Sequence, residues 1–361
     1  MKIKRIEVGH ISIPLKTPFK TSLRSVCSVE DTLVRITTDT GHVGYGEAPP
    51  TAVITGDTND SIRGAIKEVI SKALIGLEIE NLEMVMDCLN RSMIHNTSAK
   101  AAVDMAVYDL YAQLYKAPLY RILGGYRSEM QTDITISVND REKMVADSID
   151  AVKRGFSILK VKVGKCSKED IDKLRDIKKA VPSSVKFRID ANQGWKPKEA
   201  VKLIRKLEDD GFNIDFIEQP VIAQDVQGLK FVTDNVSSLI LADEAVFSTM
   251  DAINIMEMRA ADLVNIKLMK TGGIYNALKI CSAAETYGVE CMIGCMLESK
   301  LSVTAAAHLA GAKKIITRVD LDGPALCDGD PVIGGAVFDE AVIRLQDSPG
   351  LGISRIEGAV F

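Results

Sequence analysis

The sequence contains no CxxC pair, no HExxH motif and no GxGxxG turn. Its seven cysteines (27, 88, 166, 281, 291, 295 and 327) are scattered and odd in number. That pattern argues against a disulfide framework or a zinc site. Free thiols fit a reducing cytoplasm. The four histidines, at 10, 42, 95 and 308, lie too far apart in sequence for a ligand set. Acid–base chemistry in this chain therefore falls to Lys, Asp and Glu. No run reaches the roughly 18 apolar residues of a membrane helix. A net charge of −4 gives no electrostatic case for a nucleic-acid or membrane partner. The first residues, "MKIKRIEVGHISIPL", alternate polar and apolar and lack the apolar core of a signal peptide. A cytoplasmic location is expected.

What is present is an ordinary soluble composition. With 46% hydrophobic and 26% charged residues, the 361-residue chain can bury a sizeable core as one large domain or two. Residues 1–56 read as strands, with a hairpin turning at "DTG". Helical segments follow. "SAKAAVDMAVYDLYAQLYKAP" predicts a helix with Ala102, Ala106, Leu110 and Leu114 on one stripe, Ser98 as N-cap and Pro118 as its stop. Strands followed by helices suggest an α+β domain, placed at 1–125.

From about 126 to 332 strand and helix alternate. Eight strand candidates appear: "TDITISV", "SILKVKV", "VKFRID", "IDFIE", "LILAD", "DLVNIK", "VECMIG" and "IITRVD". Most of the segments between them are amphipathic helices, such as "KPKEAVKLIRKLEDDG". Eight such units predict a (β/α) barrel. An open doubly wound sheet would call for a glycine-rich phosphate turn, which is missing. The tail, about 333–361, returns to a strand-and-turn texture and is expected to rejoin the N-terminal domain.

A charged residue closes strand after strand. Lys160 and Lys162 end the second, Asp190 the third, Glu218 the fourth, Asp243 the fifth and Lys267 the sixth. Asp320 and Asp322 end the eighth, in "RVDLDGP". One such Asp alone is most often a turn or cap residue. So many in register point to the C-terminal face of a barrel, where barrel enzymes keep their chemistry. Asp190, Glu218 and Asp243 offer only oxygen, which suits Mg²⁺, with Mn²⁺ as a substitute. Crowding of Lys160 and Lys162 would depress a pKa and make a neutral lysine base accessible. Lys267 approaches from the opposite flank. A metal with a base on each side fits reversible proton removal beside a carboxylate. Asp320 and Asp322 lie on one face of a strand and repel. A metal, a buried lysine or a cation of the substrate must stand between them.

These residues resemble the enolase superfamily, whose general use of Lys or His bases with Mg²⁺ is well attested. The KxK, the Asp/Glu/Asp set and the sixth-strand lysine look like its muconate-lactonizing subgroup. The similarity runs along essentially the whole chain, including "GYGEAPP" and "PLYRILGGY". It implies a modified TIM barrel under an α+β capping domain. Within the subgroup, "RVDLDGP" resembles the DxD of dipeptide epimerases, above all the L-Ala-D/L-Glu type, and "PFKTSLRSV" their capping loop. The resemblance implies that Lys162 and Lys267 are the two epimerising bases and that Lys160 supports the substrate carboxylate. It implies that Asp320 and Asp322 hold the dipeptide ammonium, that Arg24 faces an acidic second side chain, and that Thr135 and Cys295 line the pocket. The reaction would be a two-base 1,1-proton transfer at the C-terminal residue's α-carbon through a metal-stabilised enediolate, in murein peptide recycling. Epimerisation of other dipeptides, such as hydrophobic ones, is the first alternative. A cycloisomerase or o-succinylbenzoate synthase is the second; its substrates carry no ammonium for the paired aspartates. The resemblance is compatible with a homo-oligomer, and no sequence feature marks an interface.

Overall fold

The computed structural model describes residues 1–21, 24–164 and 167–361. Ser22 and Leu23 of the capping stretch, and Cys166, lie outside them. A separate N-terminal domain opens the chain with a three-stranded antiparallel sheet of Ile3–Lys20, Ser25–Thr38 and Val43–Ala48. The helix Thr97–Leu114 packs against the third of these strands. Glycine makes that approach close. A Cβ at Gly44 would overlap the Ala106 carbonyl, and one at Gly46 the Ala102 carbonyl. The alternating glycines of "GYG" and the alanines of the helix stripe are thus two halves of one contact. Gly46→Ala should lower unfolding stability by about 1–3 kcal/mol through overpacking, read from urea midpoints at constant m-value.

Two details of this helix differ from expectation. Ser98 is not the N-cap. Asn96 is, at φ 51, and Ser98 sits inside the first turn with its N–H donating to Asp57 Oδ2 at 3.3 Å. A carboxylate from a preceding loop takes the role that a cap side chain would have had. The helix is also buried on nearly every side rather than along one stripe, because barrel helices cover its other faces. Its buried charges are each satisfied. The Lys100 ammonium donates to the Asn90 and Met93 carbonyls, and Asp104 accepts from the backbone N–H groups of Ile274 and Tyr275. Asp109 accepts from the N–H groups of Tyr45 and Leu351.

The eight predicted strands all form, as Ile134–Ile136, Ile158–Lys162, Lys186–Asp190, Ile214–Glu218, Ile240–Ala242, Leu263–Lys267, Glu290–Gly294 and Ile316–Asp320. They are parallel, and each pairs with the next in sequence. Helices such as Pro197–Asp209 and Ile274–Tyr287 separate them. Among the described residues no backbone ladder joins the first strand to the eighth. Hydrogen bonds to side chains close that seam instead. Leu321 N–H donates to Thr132 Oγ1 at 2.8 Å, and Thr135 N–H to Asp322 Oδ2 at 2.6 Å. From the third strand, Arg188 donates to Asp133 and to the Val319 carbonyl, both at 2.7 Å.

The barrel has two apolar compartments. The large one lies between the strands and the surrounding helices and continues into the core of the N-terminal domain. A small one of Phe216, Leu241, Leu263 and Met292 fills the interior. Alternation then places Glu218, Asp243 and Asn265 directly above those inward residues on the same strands. The tail forms the pairs Val342–Arg344 with Glu129–Gln131 and Val332–Gly334 with Ile353–Ile356. Its end touches the N-terminal sheet, where His10 N–H donates to the Val360 carbonyl and the Arg35 guanidinium lies 4.3 Å over the Phe361 ring. Among the described residues no helix is long and apolar enough to cross a membrane.

Candidate active site

The strand ends converge on a pocket at the C-terminal mouth of the barrel. Arg24, Thr135, Lys160, Lys162, Asp243, Lys267, Cys295, Asp320 and Asp322 all line it. Asp190 and Glu218 do not; both are fully buried and join the pocket residues through Lys160 and Lys162. The structure therefore brings together every residue singled out from the sequence, nine at the surface of one pocket and two at its floor. It also buries the acidic set more deeply than a cluster open to solvent.

The charges are interleaved. Lys160 Nζ lies 2.5 Å from Asp320 Oδ2, 2.7 Å from Glu218 Oε2 and 3.5 Å from Asp190 Oδ2. Lys162 donates to Asp190 Oδ2 at 2.5 Å, and Lys267 to Asp243 Oδ2 at 2.6 Å. Of the three partners open to the paired aspartates, the structure supplies the buried lysine to Asp320. Asp322 makes no ion pair among the described residues and is held by the Thr135 N–H.

The crowding of Lys160 and Lys162 does not have the expected effect on Lys160. Burial disfavours its ammonium, but Asp320, Glu218, Asp190 and Asp133 outweigh burial and raise its pKa well above the ordinary lysine value. Lys267 is likewise raised, with burial opposed chiefly by Asp243. Glu218 is pushed up to about 8 by burial and then by its neighbour Asp190. In Asp320 burial is overcome by Lys160, which holds the carboxyl at about 2. Asp322 is pushed up to about 6 by burial and by the charge of Asp320.

Two acidic sets compete as a metal site. The carboxylate oxygens that converge within 4.8 Å belong to Asp133, Asp320 and Asp322. Each of these residues already has a partner, in Arg188, Lys160 and the Thr135 N–H respectively. Asp190, Glu218 and Asp243 are each paired too, but where the first set has one unpaired buried oxygen, Asp133 Oδ1, the second sits among several. Around them, three buried oxygens lack any donor: Asn192 Oδ1, Glu218 Oε2 and Glu244 Oε2. Glu218 Oε2 is close to Lys160 but without hydrogen-bond geometry. Buried acceptors left unpaired are costly, and an oxygen-seeking divalent ion is what such a set accommodates.

Several neighbours escaped the sequence reading. Glu244 and Asn192 line the pocket beside the acidic set, joined by a 3.4 Å bond, and Phe19, Ile54, Met296 and Leu297 supply apolar wall. Glu244 and Asn192 each lie two positions past a strand end, in "LADEA" and "DANQ", the signal that could have flagged them. Arg24 is half-buried and makes no ion pair among the described residues. Burial lowers its pKa, with Asp31 acting the other way. A guanidinium so placed favours a carboxylate it can grip through two N–H groups.

A parallel barrel with carboxylates closing three consecutive strands, lysines flanking them and a separate N-terminal domain defines an enolase-type enzyme. Residues 143–358 match the family described as enolase C-terminal domain-like. Residues 5–124 match the mandelate racemase / muconate lactonizing enzyme N-terminal domain. The chain belongs to this family. It is 58% identical over 356 residues to the L-Ala-D/L-Glu epimerase of Clostridium acetobutylicum, covering 99% of each chain. A substrate-liganded complex of the L-Ala-D/L-Glu epimerase from Bacillus subtilis matches with a TM-score of 0.97 at 50% identity, over 100% of both chains. A dipeptide epimerase from Enterococcus faecalis V583, complexed with Mg and L-Leu-L-Tyr, matches with a TM-score of 0.95 at 42% identity, over 98% of this chain and 100% of that one. The chain is an enzyme of the isomerase class.

Proposed function

We propose that this enzyme is a Mg²⁺-dependent dipeptide epimerase that interconverts L-Ala-L-Glu and L-Ala-D-Glu by two-base 1,1-proton transfer. The observation that carries the reading is the pair of lysines on opposite flanks of one pocket. Lys162 comes from the second strand and Lys267 from the sixth, each against a carboxylate of the acidic set. In this reading Asp190, Glu218 and Asp243 hold the metal, with Mn²⁺ as a substitute. When bound, it supplies positive charge beside the substrate carboxylate, where negative charge builds as the α-proton leaves. Lys160, whose raised pKa keeps it an ammonium, supports that carboxylate instead of taking a proton. Lys267, held as an ammonium by Asp243, starts as the donor in one direction, and Lys162 removes the α-proton from the other face. The reverse direction needs the charge on Lys162.

Asp320 and Asp322 face the dipeptide ammonium. Binding then replaces part of the Lys160–Asp320 contact with a substrate cation. Thr135 and Cys295 complete the wall. Residues 1–125, rejoined by about 333–361, act as the capping domain over a catalytic barrel of 126–332. A cytoplasmic setting in murein peptide recycling, and assembly as a homo-oligomer, belong to the same proposal.

The L-Leu-L-Tyr bound to the Enterococcus relative favours a second reading, epimerisation of hydrophobic dipeptides. Arg24 separates the two. Arg24→Met should reduce kcat/KM for L-Ala-L-Glu about 10–100-fold, the worth of a charge-assisted hydrogen bond, and raise relative activity on apolar second residues. An unchanged preference for Glu would remove Arg24 from the site. The activity itself is tested in D₂O with Mg²⁺ and L-Ala-L-Glu, following the Glu α-proton by NMR and the optical rotation together. Deuterium entry at the glutamate α-carbon alone, with loss of optical purity, is expected. No exchange across a dipeptide panel would sink the proposal.

A further inference from the structure

We infer that Lys270 and Asn265 position the metal-ligand carboxylates from behind, an inference that rests on the reading of Asp190, Glu218 and Asp243 as those ligands. Lys270 is fully buried on the short helix Leu268–Thr271, and it does not line the pocket. Its ammonium has three hydrogens and three acceptors: Asp243 Oδ1 at 2.6 Å, the Asp243 carbonyl at 2.5 Å and the Asn265 carbonyl at 3.0 Å. A buried ammonium so satisfied cannot shift without leaving a charge or a carbonyl unmet. It grips Asp243 by side chain and backbone at once. The other carboxylate oxygen, Oδ2, is thereby left to Lys267 on the pocket side.

Asn265 treats Glu218 the same way. It is one inward position below Lys267 on the sixth strand, and its Nδ2 donates to Glu218 Oε1 at 3.1 Å. Glu218 Oε2 keeps no hydrogen bond. Each supporting residue takes one oxygen of a carboxylate and leaves the other for the site. Because the Asn265 carbonyl also anchors Lys270, the two supports form one unit. Neither touches the pocket, so both act through the ligands they orient.

The test is calorimetric titration of Mg²⁺ into the full chain as wild type, Lys270→Met and Asn265→Leu, with melting curves of each in metal-free buffer. Met keeps the length of the lysine stem, and Leu the approximate size of the asparagine. Both variants should bind Mg²⁺ about 10–100-fold more weakly, with a correspondingly smaller rise in Tm on adding the ion. A merely structural role would lower the metal-free Tm and leave the Mg²⁺ affinity of the folded variants unchanged, which overturns the inference. Should Lys270→Met not fold, Asn265→Leu decides it alone. A wild type that binds no Mg²⁺ removes the metal reading and this inference with it. A wild type that binds, with variants that bind equally well, overturns the inference alone.

Discussion

Lys267→Ala should lower epimerisation of L-Ala-L-Glu by about 10³-fold or more while solvent exchange of one enantiomer's α-proton persists. The split follows from the pocket having a lysine on each flank. One enantiomer presents its α-proton to Lys162 and the other to Lys267. With Lys267 gone, Lys162 still removes and returns a proton on its own face. That enantiomer gains deuterium, yet nothing protonates the opposite face and its configuration is kept. The other enantiomer neither exchanges nor inverts. Lys162→Ala should give the mirror result, with exchange confined to the other enantiomer. The site should survive the Lys267 change, because Asp243 keeps Lys270 as a partner at 2.6 Å. Unchanged circular dichroism and a near-wild-type Tm would confirm that. NMR in D₂O on each pure enantiomer separates exchange from inversion. A Lys267→Ala variant that still inverts at close to the wild-type rate would end the two-base reading.

How much of this was legible in the sequence depended on whether a residue's partner was local. The eight strands could be read because six of the apolar runs stop at a charge, and five of those stops fall on consecutive strand–helix units. The pocket could be read for the same reason, since strand-end charges share one end of any parallel barrel. Residues whose partners are remote in sequence could not. Asp133 and Arg188 read as a charge before one strand and a charge inside another, but they form a buried 2.7 Å ion pair across the interior. Ser98 looked like a cap because a cap is usually adjacent, whereas the acceptor came from Asp57. The helix stripe was real but too narrow. The faces of Thr97–Leu114 that carry Lys100, Asp104 and Asp109 look solvated until their partners at Asn90 and Met93, at Ile274 and Tyr275, and at Tyr45 and Leu351 are packed on them. Likewise the crowding of Lys160 suggested a depressed pKa only while its carboxylate partner Asp320, 160 positions away, was unknown.

Asp320→Asn is the second large expected effect, and it tests what the paired aspartates are for. Asp320 is ionised well below neutrality because Lys160 overcomes the cost of its burial. Asp322, pushed up to about 6, gains its last proton-binding strength partly from the charge of Asp320. If the two hold a substrate ammonium, Asp320→Asn should raise KM for L-Ala-L-Glu by about 10²-fold, the worth of a buried charge-assisted bond, with a smaller change in kcat. N-acetyl-L-Ala-L-Glu has no ammonium. It should be a poor substrate for the wild type and lose little more in the variant. Equal losses on both substrates would mean that Asp320 acts by holding Lys160 and not by facing the ammonium. The pH profile supplies a second reading with a definite sign. Asp322 must be ionised to attract a cation, so wild-type kcat/KM should fall as pH drops through about 6, a limb that belongs to the coupled pair. Removing the Asp320 charge removes the repulsion that raised Asp322. The acid limb should therefore move to lower pH in Asp320→Asn, even as the rate above it falls. A limb that stays in place would assign that titration to another group.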